Sequence, residues 1–415
     1  MDLFEKIKNN RGPLGQYAKI AHGYWVFPKL TGEVSGRMKF RGKEVICWSV
    51  NNYLGMANHP EIRKVDAEAA AEWGMAYPMG ARLMTGETDQ HCELETTLAN
   101  FVQKPAGAML NFGYQGIMSC IDSLVGRNDV IVYDKESHGC IIDGVRLHPG
   151  KRFVYEHNNM ESFEKNMIRA TKWTEESGGG ILVISEGVFG MRGDQGKLKE
   201  IVAFKEKYNF RFLVDDAHGF GVLGPNGEGA GVEQECMDGI DVYFATFAKS
   251  FASIGAFLAG DPDIMEYLKY NMRSQIFAKS LPMPVVIGIK KRFELMQSDP
   301  SMKENLWNIV NKLQTGLRER GFNIGDVKSC VTPVFLEGTP YEASQLVYDM
   351  RENHGVFCSM VIFPMIPKGT IILRMIPTAA HTEKDVEDTL DAFTAVAKKL
   401  KEGYYKDEVP ELMKS

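Results

Sequence analysis

Between about residues 100 and 260, short apolar runs alternate with longer polar stretches. They are AMLNF at 108–112, VIVY at 130–133, RFVY at 152–155, ILVI at 181–184, RFLV at 211–214 and VYFA at 242–245. Continuous apolar runs of four or five, separated by lengths that suit a helix, predict strands buried on both faces of a mostly parallel sheet. Beyond about residue 290 the period changes. Leu306, Ile309, Val310, Leu313 and Leu317 recur at helical spacing, and Gly321 supplies a stop. A second helix is predicted to start at Thr382-x-x-Asp385, which has the form of a capping box, and to bury Val386, Leu390, Phe393 and Ala397 along one face. The expected division is an N-terminal arm or small subdomain over 1–50, a large α/β domain over 51–288 and a small C-terminal α+β domain over 289–415.

The first polar residues after these runs are chemically capable: Asp134 after VIVY, Ser185 and Glu186 after ILVI, Asp215 after RFLV, Thr246 after VYFA. Any one of them is ordinary as the end of a strand. Four of the six runs ending this way point to one shared crevice, because open α/β sheets bind ligands at the carboxyl ends of their strands.

Charge and composition narrow the setting. With 48 Lys and Arg against 54 Asp and Glu, the 415-residue chain carries a net charge of −6, so no global positive field recommends nucleic acid as a partner. No stretch reaches the roughly 18 apolar residues of a membrane span, and the opening MDLFEKIKNNRG lacks the apolar core of a signal peptide. Seven cysteines, scattered singly and with no CxxC pair, favour reduced thiols over disulfides or structural zinc. The expectation is a cytoplasmic protein without a metal centre.

The sharpest local feature is VDDAHGFGVLG at 214–224 followed by Lys249 in TFAKSFASIG. Lys249 stands among Phe247, Ala248, Phe251, Ala252 and Ile254, and an amine in apolar surroundings loses its proton readily and can condense with an aldehyde. A pyridoxal phosphate (PLP) enzyme needs such a lysine, a carboxylate that keeps the pyridine nitrogen protonated, a flat group against the ring and donors for the phosphate. Asp215, His218, His138 and the Gly113-Tyr114-Gln115-Gly116 turn with Thr246 suit those tasks.

In order, HGCIIDG, EGVFGMRGD, VDDAHGFGVLG, TFAKS and LRMIPTAAHT resemble the α-oxoamine synthases, PLP-dependent enzymes of fold type I. The likeness begins at NNYLG (51–55), continues through GARLMTGETDQHCELE (80–95) and covers most of the chain. It implies Lys249 as the lysine that forms the internal aldimine, Asp215 at the pyridine nitrogen, His218 at the ring oxygen and His138 stacked on the ring. It further implies Gly113, Tyr114 and Thr246 as phosphate contacts, Ser280 as a phosphate contact supplied by the other subunit of a homodimer, Arg374 as the clamp on the amino-acid carboxylate, and Asn51 near the substrate. The implied reaction removes the Cα proton of an amino acid, joins Cα to the acyl group of a coenzyme A or carrier-protein thioester, and releases carbon dioxide.

The flanks GRNDVIVYD, HNNM and the stretch from TFAKS to SQIF look most like the serine palmitoyltransferase group and the cysteate-using long-chain base synthases. Ala81, Ala248 and Ala278 depart from it, standing where serine is usual. FGMRGD departs more instructively, with Gly190 in place of serine and Arg192 in place of an acid. A guanidinium there favours an anionic amino-acid side chain if it faces the site, and otherwise pairs at the surface with Asp194 or Glu186. Serine or cysteate with a long acyl chain is the expected substrate pair, for sphingolipid or sulfonolipid synthesis. Glycine- or alanine-using short-chain synthases share every catalytic position named, and a fold-type I aminotransferase is the reading from another class.

Overall fold

In a computed structural model, residues 2–15, 18–337, 339–361 and 371–406 are described. Contacts divide the chain into a unit of residues 51–304 and a second unit that gathers 1–50 with 305–415.

The larger unit is built on a seven-stranded sheet. Its strands lie in the order Ala106–Leu110, Ala256–Gly260, Val242–Thr246, Arg211–Asp215, Ile181–Glu186, Val130–Asp134, Lys151–Tyr155. The five strands from Val242–Thr246 to Lys151–Tyr155 are parallel, and every apolar run read as a strand belongs to the sheet. Ala256–Gly260, which the apolar pattern did not single out, is inserted antiparallel to both of its neighbours and pairs Ala256 with Thr246 and with Leu110. The central strands are buried along nearly their whole length, as expected of a sheet covered on both faces. Val130–Asp134 pairs with Lys151–Tyr155 on one side and Ile181–Glu186 on the other, so the direction of winding reverses beside it. Reversal opens a crevice at the carboxyl ends of these strands.

Residues 1–50, expected as an N-terminal arm or small subdomain, group with 305–415 in the smaller unit. Val356–Phe357 pairs in parallel with Ile46 and Cys47, which makes residues from both ends of the chain one sheet. A three-stranded antiparallel sheet, Thr332–Leu336, Ile371–Met375 and Ser359–Val361, and the helices Ser301–Glu319, Pro340–Asn353 and Glu383–Lys401 complete the unit. Thr382 closes a capping box with Asp385 at the start of the last helix, as the sequence predicts. The boundary expected at 288 falls inside the helix Met283–Ser298, which packs on Pro60–Trp73 and is tied to it by the bidentate Arg292–Asp66 pair (2.9 and 2.8 Å). Contacts place the division at 304, in the first turn of the helix Ser301–Glu319. Among the described residues no helix is long and apolar enough to cross a membrane.

Candidate active site

At the strand ends, Glu186 and Asp215 are in register on adjacent strands and both are buried. Burial pushes the Asp215 carboxyl up, opposed by the positive charges of Lys249 and His138. Burial lifts Glu186 well above the usual carboxylate range, and the neighbouring Asp215 lifts it further. Asp215 accepts Ala217 N–H (3.1 Å) and faces the Cys140 thiol at 3.7 Å. Asp216, the next residue, points the other way: it takes Ala230 N–H (2.7 Å) and Tyr243 O–H (2.9 Å) within the fold. Asp134 likewise spends its oxygens on Glu136 N–H, Asn158 N–H and the His157 ring, so the strand-end series contributes Asp215, Glu186 and Thr246 to the crevice but not Asp134.

Lys249 follows Val242–Thr246 in a tight loop closed by Phe247 N–H to Gly255 O (3.0 Å) and Ser253 N–H to Phe247 O (2.9 Å). Phe247 and Phe251 turn inward to pack on Phe257 and Phe220, while Ala248 and Ile254 are exposed and Lys249 itself is half-buried. The charge of Lys249 lowers the carboxyls of both Asp215 and Glu186.

His138 caps the helix Gly139–Leu147, with Nδ1 facing Cys140 N–H (3.3 Å) and Sγ (2.9 Å) and its backbone N–H donating to Glu186 (2.5 Å). That anchors the backbone and one ring nitrogen and leaves the ring itself exposed. His218 is buried, and its Nδ1 lies 2.7 Å from the hydroxyl of Tyr53. Gly190 is a requirement of this placement, because a Cβ there would stand 2.2 Å from His218 Nε2. Tyr53 was not anticipated. NNYLG pointed to Asn51, whose Oδ1 is buried with no hydrogen-bond partner among the described residues, and nothing in the motif shows which side chain reaches the histidine.

The helix Gly113–Leu124 begins after Phe112, whose side chain offers no cap, so its first N–H groups are open to an anion. A Cβ on Gly113 would come within 3.1 Å of Thr246 Oγ1, which shows how closely the helix start and the strand end approach. The Tyr114 ring meets His138 edge-on at 6.2 Å, and its hydroxyl donates to Asp143 (2.5 Å), which pushes the phenol up to about 12. Ser280 is buried and bonded within its own chain, to Gly86 O through its hydroxyl and to Gly80 O through its N–H, both at 2.8 Å.

Arg192 Nη1 donates to Glu136 at 3.2 Å, while the His157 ring lies against Asp194 and His138 N–H donates to Glu186. In the smaller unit Arg374 lies on the central strand Ile371–Met375 opposite Pro333 and Ser359, half-exposed between the buried Leu373 and Met375.

The donor set of the larger unit fits PLP. An open helix N-terminus, lacking a Cβ at Gly113 and flanked by a threonine, suits a phosphate; a buried carboxylate suits a protonated ring nitrogen; an exposed imidazole suits a flat ring; and Lys249 is the amine that faces the carboxylate.

Comparison with known proteins agrees. The sequence profile of the class I and II aminotransferases matches residues 43–393. The chain is 63% identical over 413 residues to the cysteate-C-fatty acyltransferase of Capnocytophaga ochracea, covering 100% of this chain and 98% of the relative. It is 33% identical over 375 residues to the serine palmitoyltransferase of Sphingobacterium spiritivorum, covering 90% and 92%. A solved serine palmitoyltransferase from S. paucimobilis with a bound PLP–myriocin aldimine superposes with a TM-score of 0.88 at 28% identity, covering 97% of this chain and 100% of that one. The chain accordingly belongs to the class I and II aminotransferase family and, within it, to the α-oxoamine synthases, PLP-dependent acyltransferases that condense an amino acid with an acyl thioester.

Proposed function

We propose that this chain condenses cysteate with a long-chain acyl thioester, yielding a 2-amino-3-oxoalkane sulfonate, carbon dioxide and the free thiol, as a step towards a sulfonolipid base. The end-to-end 63% identity to a cysteate-C-fatty acyltransferase carries this reading. Arg192, on a turn fastened to the loop of His138, supplies the cation that a sulfonate calls for.

When bound, PLP supplies an electron sink for the charge left on Cα. The chain's own residues do the rest. Lys249 takes the Cα proton and returns one at the end, Asp215 holds the positive charge of the ring nitrogen, His138 lies against the ring, and Arg374 grips the carboxylate, so that the Cα–H bond is fixed in one orientation. Gly113, Tyr114 and Thr246 hold the phosphate, His218 the ring oxygen, and Asn51 lies near the amino acid. The new bond joins Cα to the acyl carbon, the thiolate departs, and carbon dioxide leaves from the carboxylate that Arg374 held.

A homodimer with Ser280 of one chain completing the phosphate site of the other is part of the proposal. The exposed apolar side chains Met75, Tyr77, Met79, Leu83, Met84 and Phe277 favour a partner surface near that segment. The seven free cysteines fit a reducing cytoplasm.

The test is carbon dioxide release by purified holoenzyme given palmitoyl thioester, on coenzyme A or carrier protein, with cysteate, serine, glycine or alanine. Cysteate is expected to give the highest kcat/KM. Turnover of serine with none of cysteate rejects the reading. Mixed dimers of Lys249→Ala and Ser280→Ala chains regain one whole site if Ser280 crosses the interface, and none if it does not.

A further inference from the structure

Two segments that bear site residues leave the sheet separately. Residues 134–138 follow Val130–Asp134 and carry Glu136 and His138. Residues 188–195 form a turn, bridged from Val188 to Gln195, that carries Gly190 and Arg192. The turn is stiff in itself, with Phe189 N–H donating to Asp194 O (3.0 Å) and Gly193 N–H to Phe189 O (2.8 Å).

His157, after the outer strand Lys151–Tyr155, stands between the two segments. Its Nδ1 lies 2.9 Å from Asp134 Oδ1 and its Nε2 2.7 Å from Asp194 Oδ2. A ring with a carboxylate at each nitrogen makes both bonds only as the imidazolium. Burial opposes that charge, but the hydrogen bonds to Asp134 and Asp194 outweigh it and push the imidazole up to about 10. Phe189 presses edge-on against the ring at 4.5 Å. Asn158 repeats the span, donating its N–H to Asp134 Oδ2 (3.0 Å) and its amide to Asp194 Oδ2 (3.3 Å) and Gln195 O (3.0 Å). The Arg192–Glu136 pair then joins the same segments a third time, on the side nearer His138.

We propose that His157 is a positioning residue that locks the Arg192 turn to the His138 loop and so sets which amino-acid side chain the enzyme accepts; this rests on the reading that Arg192 receives an anionic side chain. The bridge fixes the guanidinium relative to the histidine, and a guanidinium free to drift loses the bidentate geometry that separates sulfonate from hydroxyl.

The experiment compares full-length wild-type and His157→Gln holoenzymes. Hydrogen exchange is followed in peptides spanning 134–140 and 188–196, and KM and kcat are measured for cysteate and for serine. Exchange is expected to rise about tenfold in both peptides together, with KM for cysteate up about tenfold and that for serine changed by less than about twofold. Unchanged exchange in either peptide overturns the bridge. An equal loss of kcat/KM for both amino acids overturns the selectivity role. A wild-type enzyme that ignores cysteate overturns the substrate reading and the selectivity role with it, while the exchange data still decide the bridge. Should His157→Gln fail to fold, Asp194→Asn cuts only the turn end of the bridge and is read in the same way.

Discussion

Asp349 in the smaller unit and the Glu186–Asp215 pair in the larger one are buried carboxylates spent differently. In the smaller unit Asp349 receives Lys399 (2.7 Å), Tyr405 (2.5 Å) and Asn353 (2.7 Å), and although burial raises its carboxyl, these partners bring it below its ordinary value. In the larger unit Glu186 and Asp215 sit side by side at strand ends, both raised by burial. A carboxylate whose neighbours satisfy it is holding structure together, whereas one kept short of partners is reserved for something the chain itself does not contain.

That contrast breaks first at Lys249. Replacement by alanine should cost at least roughly a thousandfold in carbon dioxide release and should remove the cofactor that borohydride fixes covalently; a variant still fixing it would unseat Lys249. Asp215→Asn should lower activity by about a hundredfold or more and leave chemical denaturation as stable or more so, since burial makes its charge a cost to folding. Asp349→Ala should do the reverse, losing about 3 kcal/mol of stability in a urea titration with kcat nearly intact. If the two variants behaved alike, the division between reserved and satisfied carboxylates would fail.

Smaller effects sharpen the picture around the site. Gly190→Ser puts a Cβ against His218 Nε2 and should cost about 1–3 kcal/mol in transition-state or folding free energy, read as a fall in kcat together with a changed spectrum of bound cofactor. The smallest is a slope. His157 is raised in the fold, so its bridge to Asp134 and Asp194 contributes fully below its unfolded value of 6.5 and is lost as pH rises through about 10. Wild-type stability should therefore decline across that window more steeply than that of His157→Gln, and parallel curves would show that the imidazolium contributes nothing.

Much of the larger unit was legible because buried parallel strands must be apolar throughout and their ends must not be. Asp215 was singled out because it directly follows such a run, and His138 and Lys249 because they stand five and four positions past the ends of VIVY and VYFA. Ala256–Gly260 escaped because a loop of nine residues returns the chain antiparallel, and no helix-length spacer marks it off from Lys249. The boundary expected at 288 falls inside a helix for a similar reason, since a change of apolar period does not reveal that the helix spanning it packs on Pro60–Trp73. Arg192 was singled out by its charge, yet its partner Glu136 lies 56 positions away and on another strand's loop.

Residue order alone put the chemistry on offer: an amine, a carboxylate and two imidazoles in the order that resembles a PLP enzyme, after apolar strand runs. Only the folded chain decided who holds whom. Tyr53 on His218, Glu186 on the N–H of His138, and His157 between two aspartates are all contacts between segments far apart in the chain. Periodicity reports on burial, which each residue carries locally, whereas a hydrogen bond depends on two positions that only the closed sheet and its loops bring within 3 Å.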